Sequence, residues 1–207
     1  QMIYLWIGDG LGAGIIINGE LYRGVSAAAG EIGYYEPGWF VTRGKEFRLI
    51  YREQKNFGDM LSEKVILEGA QKGVREGITT RMNVDNLRIE QVVQAAEDGD
   101  PLAVELLDEY GHLVGMICTY LVSTLNPELI LIGGNELVKS KVLMRFIKDQ
   151  VRNATLRTPT RAVHIKPAGL KKNAGIMGAI ALILEDLFFM ERLNVTRYRN
   201  VFGYDRR

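Results

Sequence analysis

Four short stretches of this chain carry residue types that could do chemistry. The first is Gly8-Asp9-Gly10-Leu11-Gly12-Ala13-Gly14. Glycines at that density let a backbone come close to a small polar ligand, and consecutive amides in such a turn form a concave anion site. Asp9 in its middle admits three readings: a plain turn residue, a carbohydrate or metal contact, or part of a phosphate-linked function. A carboxylate facing a polyphosphate is repelled by on the order of several kcal/mol at contact distance unless a metal intervenes, so Asp9 weakens the case for ATP. The second stretch is Ala27-Ala28-Ala29-Gly30-Glu31-Ile32-Gly33, followed by Tyr34. Small neighbours let a ligand pack against Glu31, whose carboxylate can accept two sugar hydroxyls at once; a solvated loop acid is the alternative. Tyr34 can stack on a sugar face, donate a hydrogen bond, or pack in the core. The third is Leu131-Ile132-Gly133-Gly134-Asn135. A helix start there can meet an anion or a nucleotide, or the turn can simply need glycine. The fourth is the small-residue set Gly175, Gly178, Ala179 and Ala181, which permits close helix packing.

These stretches need positioning, and the flanking pattern predicts how. Ile3 to Ile7 and Ile15 to Ile17 are apolar and β-prone, so residues 2–24 read as three short strands joined by glycine turns. A strand after the first glycine turn argues against a dinucleotide-binding fingerprint, which needs a helix there. Residues 26–35 read as a compact loop or short helix. Pro37-Gly38 breaks the chain, and Phe47 to Tyr51 alternates weakly like a strand. Helical spacing of apolar residues predicts helices over 57–77 and over Leu87 to Ala96. Asp100-Pro101 caps and opens a long helix whose stripe runs through Leu102, Leu106, Leu107, Tyr110, Leu113, Val114, Ile117 and Leu121 and ends at Asn126-Pro127. A buried strand over Leu129 to Ile132, a helix over about 136–152, a short strand Val163 to Ile165 and a final helix over about 173–190 follow. Residues 191–207 form a basic aromatic tail.

Taken together and in this order, the glycine segments resemble those of the ROK family, which comprises repressors and sugar kinases. The resemblance runs from about residue 2 to about residue 184. Gly8 to Gly14 resembles the family's second phosphate loop, and Asn18 to Gly24 the hairpin after it. Residues 27–33 resemble its sugar-binding segment, Gly133-Gly134 its adenosine-side turn, and Gly175 to Ala181 its final helix. The resemblance implies an α/β fold, the C-terminal lobe of the ribonuclease-H-like, actin-like ATPase fold, with a mixed sheet and flanking helices. It implies Glu31 and Tyr34 as sugar-binding residues. It implies Gly8, Asp9, Gly10, Gly12, Gly133 and Gly134 as the phosphate or nucleotide loops.

Two departures from the family pattern matter. Asp9 stands where the family usually has Thr. Tyr34 stands where it commonly has a His that helps bind zinc with downstream cysteines, and residues 36–58 hold no cysteine; no zinc is expected. The family's N-terminal lobe, with the first phosphate loop and the catalytic Asp, precedes the point corresponding to Gln1. Residues 1–190 are therefore expected to be a C-terminal lobe with no catalytic residue of its own. The implied function is a sugar-responsive transcriptional regulator, this chain being its effector-binding and oligomerisation lobe, with DNA reached only through an upstream helix-turn-helix. The alternative is an ATP-dependent sugar kinase, for which ATP and magnesium are the cofactors. A monosaccharide partner and a homo-oligomer are implied under both.

Composition narrows the rest. The 207 residues carry 26 Lys and Arg against 25 Asp and Glu, a net charge of +1, which gives no overall electrostatic case for nucleic acid. One cysteine, Cys118, excludes an internal disulfide and a multi-cysteine zinc site; its apolar helical setting predicts a packed core thiol. His112 and His164 have no second His or Cys nearby and read as structural. No apolar run reaches the ~18 residues of a membrane span, no signal peptide is evident, and the cytoplasm is the expected compartment.

Overall fold

A computed structural model describes residues 1–36, 47–50, 56–154, 162–170, 173–185 and 187–188. The chain divides into two units, Gln1–Gly169 and Leu170–Arg207. In the second, residues 174–185 and 187–188 are helical, where a final helix is expected; the basic tail at 191–207 and the Pro37-Gly38 break lie outside the described residues.

The first unit is built on a five-stranded mixed sheet in the order β3-β2-β1-β4-β5. Strands β1 (Met2–Ile7) and β2 (Leu11–Ile17) form an antiparallel hairpin, with Ile7 opposite Leu11 across the Gly8-Asp9-Gly10 turn. Asn18 and Gly19, at φ of 54° and 84°, make the two-residue turn into β3 (Glu20–Leu21); two positive φ angles match the right-handed twist of the flanking strands. Strand β4 (Leu129–Gly134) lies parallel to β1, and β5 (His164–Pro167) lies parallel to β4 as an edge strand. Alternation sets the buried face: Ile3, Leu5, Ile7, Ile130, Ile132 and Ile165 join one core, since successive strand residues point to opposite faces.

Among the described residues the α-helices of this unit are α1 (Phe57–Met60), α2 (Glu63–Arg75), α3 (Ile89–Glu97), α4 (Pro101–Leu125) and α5 (Lys141–Ala154). The central helix is α4, which packs on α2, α3 and most extensively on α5. Asp100 caps it, accepting the Ala103 amide, with Pro101 in the first turn; Asn126 closes it in the left-handed region at φ 43°. Cys118 is fully buried in it, and burial pushes its thiol pKa up to about 12, which leaves it protonated and inert at neutral pH. None of the described helices is long and apolar enough to cross a membrane.

Three local expectations need correction. The 57–77 pattern is two helices, because Leu61 and Ser62 leave helical geometry and the Leu61 carbonyl turns to accept the buried Tyr110 hydroxyl at 2.7 Å. The 136–152 pattern is a 3-10 turn, Glu136–Lys139, then α5, with the break at Ser140. Ser140 donates its hydroxyl to Glu97 and accepts the Leu143 amide, capping α5. Residues 47–50 are not a strand. They pair with no strand of the sheet; the amides of Arg48, Leu49 and Ile50 donate instead to the Glu109 carboxylate of α4.

A second buried acid makes stability depend on pH. Asp100 is 1% exposed. Burial alone would raise its pKa, but donation from the Arg81 and Ala103 amides and the Thr80 hydroxyl outweighs burial and leaves the pKa below its ordinary 3.8. The folded state therefore holds fewer protons on Asp100 than the unfolded state does. That stabilisation is complete above about pH 5 and is lost as pH falls through the ordinary carboxylate range and below it. Asp100→Asn keeps the cap but not the charge. It is expected to cost about 1–3 kcal/mol at pH 7 and progressively less towards pH 3, as read from urea denaturation across that range.

Candidate functional site

The parallel register of β1 and β4 sets Trp6 beside Gly133 and Ile7 beside Gly134. The two glycine turns thereby leave the sheet side by side, at the strand ends where α/β sheets usually bind ligands. In the first turn the Gly8 amide donates to the Gly10 carbonyl at 2.9 Å. In the second the Asn135 amide donates to the Ile7 carbonyl at 2.8 Å, tying that turn to the end of β1. Gly134 has φ 122°, and a Cβ there would lie 1.8 Å from the Ile7 oxygen.

The segment carrying Glu31 is fastened to β2. The Ala13 amide donates to the Gly30 carbonyl at 2.8 Å, and Gly30, at φ 95°, lies so close that a Cβ would stand 1.8 Å from the Ala13 oxygen. Residues Ile32–Tyr34 then form one 3-10 turn with Ile32 and Gly33 buried, and the Phe57 amide donates to the Tyr35 carbonyl, which anchors α1 to the same segment. The backbone is held while the side chains are not: Glu31 is exposed and Tyr34 is 77% exposed. Core packing of Tyr34 is thus ruled out. No hydrogen bond or ion pair among the described residues engages the Glu31 carboxylate.

Gly8, Asp9, Gly10, Gly12, Gly133 and Gly134 therefore lie together at one end of the sheet, with Glu31 and Tyr34 on a segment fastened to the neighbouring strand. The electrostatics around Asp9 were not visible in sequence. Burial raises the pKa of Glu63, at the start of α2, and the charges of Asp9, Glu90 and Glu136 raise it further. Three carboxylates from other parts of the chain thus bear on Glu63, one of them Asp9 in the first glycine turn. Among the described residues no group of three or more His, Cys, Asp or Glu is placed to hold a metal ion. Asn135 and Tyr110 underlie the second turn: Asn135 accepts the Leu137 amide and is 3.5 Å from the Tyr110 hydroxyl.

A model of the ROK family matches residues 1–186. The chain belongs to the ROK family. It is 28% identical over 194 residues to the xylose repressor of Caldicellulosiruptor bescii, covering 90% of this chain and 47% of that protein. It is also 28% identical over 205 residues to the glucokinase of Halalkalibacterium halodurans, covering 95% of this chain and 60% of that one. Among solved structures it superposes on a ROK family glucokinase from Streptomyces griseus, solved with glucose and AMPPNP. The TM-score is 0.68 at 24% identity, over 87% of this chain and 59% of that one. The fold is the actin-like, ribonuclease-H-like fold of the ROK sugar kinases. This ROK chain spans roughly half the length of the curated relatives it matches, and those relatives include repressors and kinases alike.

Proposed function

We propose that this ROK chain is the effector-binding and oligomerisation lobe of a sugar-responsive transcriptional regulator. The observation that carries this reading is Asp9, a carboxylate within the first glycine turn between β1 and β2. Asp9 occupies the loop that would face a nucleotide's phosphates, and its charge also reaches Glu63, whose pKa it raises. Like charges a few ångströms apart repel by several-fold more near a protein surface than in bulk water. A carboxylate at that position disfavours a polyphosphate.

A monosaccharide fits better. In this reading Glu31 accepts two neighbouring hydroxyls, and Tyr34 offers a ring face or its hydroxyl. Operator DNA is reached through an upstream helix-turn-helix. A sugar that binds one arrangement of the lobes more tightly than another shifts the population towards it and so changes operator affinity. The second reading, an ATP-dependent sugar kinase, is favoured by the adjacency of the Gly8–Gly12 and Gly133–Gly134 turns; ATP and magnesium belong to that reading alone.

The test uses the full-length protein and a panel of monosaccharides. The regulator reading expects one sugar to change operator affinity, and Glu31→Gln to weaken that sugar's binding by about ten- to a hundredfold through loss of charge-assisted hydrogen bonds, with the melting temperature unchanged. It also expects no sugar phosphate from magnesium-ATP and any hexose. Turnover there, with operator affinity indifferent to sugar, would replace it with the kinase. Asp9→Thr is expected to raise affinity for magnesium-ATP about tenfold by removing one repelling charge, measured by calorimetry.

A further inference from the structure

Helix α5 carries Lys141, Arg145, Lys148 and Arg152 at spacings of four, three and four residues, all exposed. That spacing lines them along one face of the helix, over about 16 Å at 1.5 Å per residue. They border a trough between α5 and the edge strand β5. Two adjoining cavities of about 260 and 380 Å³ share Lys148 and Arg152 as walls. Lys166 of β5 and Lys139, just before α5, add two further cations to that lining.

Two of these six cations are paired: Arg152 with Asp149 at 3.3 Å, and Lys139 with Glu136. No ion pair among the described residues ties down Lys141, Arg145, Lys148 or Lys166. Glu97 accepts the Ser140 hydroxyl and the Val142 amide, and the nearby Lys141 charge helps to lower its pKa, so Lys141 is offset in part. The contrast with α2 is informative. There Lys64 meets Glu68 and Lys72 meets Glu76, each an i,i+4 pair of opposite sign. On α5 the i,i+4 partners Lys141/Arg145 and Lys148/Arg152 have the same sign, which disfavours the helix, and Asp149, four residues after Arg145, is the one acid of that helix. Six cations therefore face three carboxylates, Asp149, Glu136 and Glu97, and that local excess of positive charge, in a chain whose net charge is only +1, suits an external anion.

We propose that the trough between α5 and β5 binds the phosphodiester backbone of duplex DNA without reading its sequence. A row of cations on a straight helix suits a row of evenly spaced phosphates. Among the described residues no Phe, Tyr or Trp lines either cavity and His164 is the one ring there, which gives little of the stacking surface that single strands need, and the long cationic side chains favour phosphate contacts that position rather than specify. The proposal is independent of the regulator reading.

The experiment is fluorescence anisotropy of the 207-residue chain with a labelled duplex of arbitrary sequence, at salt from about 50 to 200 mM. Four phosphate contacts predict a slope of log affinity on log salt of about −3.6. Arg145→Glu together with Lys148→Glu lies wholly at exposed positions. The double variant is expected to keep the circular dichroism spectrum, weaken binding at least about tenfold at low salt, and flatten the slope by about 2. Three results would overturn the proposal: no duplex binding at 50 mM salt, binding that ignores the double charge reversal, or displacement of DNA by a single-stranded oligonucleotide or a polyglutamate peptide at lower concentration than by unlabelled duplex.

Discussion

Gly134→Ala is expected to cost about 4 kcal/mol or more of stability, and Gly30→Ala nearly as much, whereas Gly10→Ala and Gly12→Ala are expected to change stability by less than about 1 kcal/mol. All four belong to glycine-rich segments that look alike on paper. At Gly134 the backbone sits at φ 122° and an added Cβ meets the Ile7 oxygen at 1.8 Å and its carbon at 2.5 Å. At Gly30 the φ is 95° and the Ala13 oxygen lies at 1.8 Å. These obstacles are backbone atoms inside a sheet and a tied turn, so neither can move aside as a side chain would. Positive-φ strain alone costs on the order of 1–3 kcal/mol. Adding a clash that breaks the Asn135-to-Ile7 or Ala13-to-Gly30 hydrogen bond carries the sum to about 4 kcal/mol or more, a large part of a normal domain's stability. A Cβ at Gly10 or Gly12 meets nothing within 4 Å, and neither residue has positive φ. Soluble yield and urea midpoints of the four variants decide the matter: four equal effects would contradict the geometry.

Glu109→Ala is expected to cost about 3–5 kcal/mol. Its side chain is 2% exposed, yet it is an acid on the apolar core helix α4. The carboxylate accepts the Arg48 amide at 2.9 Å, the Leu49 amide at 3.0 Å and the Ile50 amide at 2.8 Å. Truncation to Ala leaves up to three donors without partners, two of them buried, and an orphaned buried donor costs about 1–3 kcal/mol. Leu49 and Ile50 then lose their seat in the core, where they are 2% and 1% exposed. The Arg48 ion pair with Glu105 and the Lys72 bond to the Arg48 carbonyl lie at the surface and hold less. Glu109→Gln keeps an acceptor and is expected to cost about half as much. Chemical denaturation measures both; a Glu109→Ala loss below about 1 kcal/mol would mean that water replaces the carboxylate.

The elements with short-range causes were legible in the amino-acid order. The alternation of Ile3, Leu5 and Ile7, the Asn18-Gly19 turn, and Asp100-Pro101 opening a helix that stops at Asn126 each rest on neighbours a few residues apart, and each stands in the structure as read. The glycine segments, read together, identified the ROK family. Glu109 left a weaker trace: it falls on the α4 stripe three residues after Leu106 and four before Leu113, so a charge among core positions could have flagged a buried partner, though not which one. The partner lies about sixty positions away in sequence, and only packing brings it there. The same holds for the charges of Asp9, Glu90 and Glu136, which act on Glu63 from elsewhere in the chain, and for Lys166, which joins the α5 stripe because β5 pairs with β4. Local patterning thus determined most of the elements, and the resemblance of the glycine segments pointed to the family. Tertiary structure decided which glycines admit no side chain, where the buried acids point, and which surface charges face a common space, because those depend on distances between residues that the order of the chain does not set.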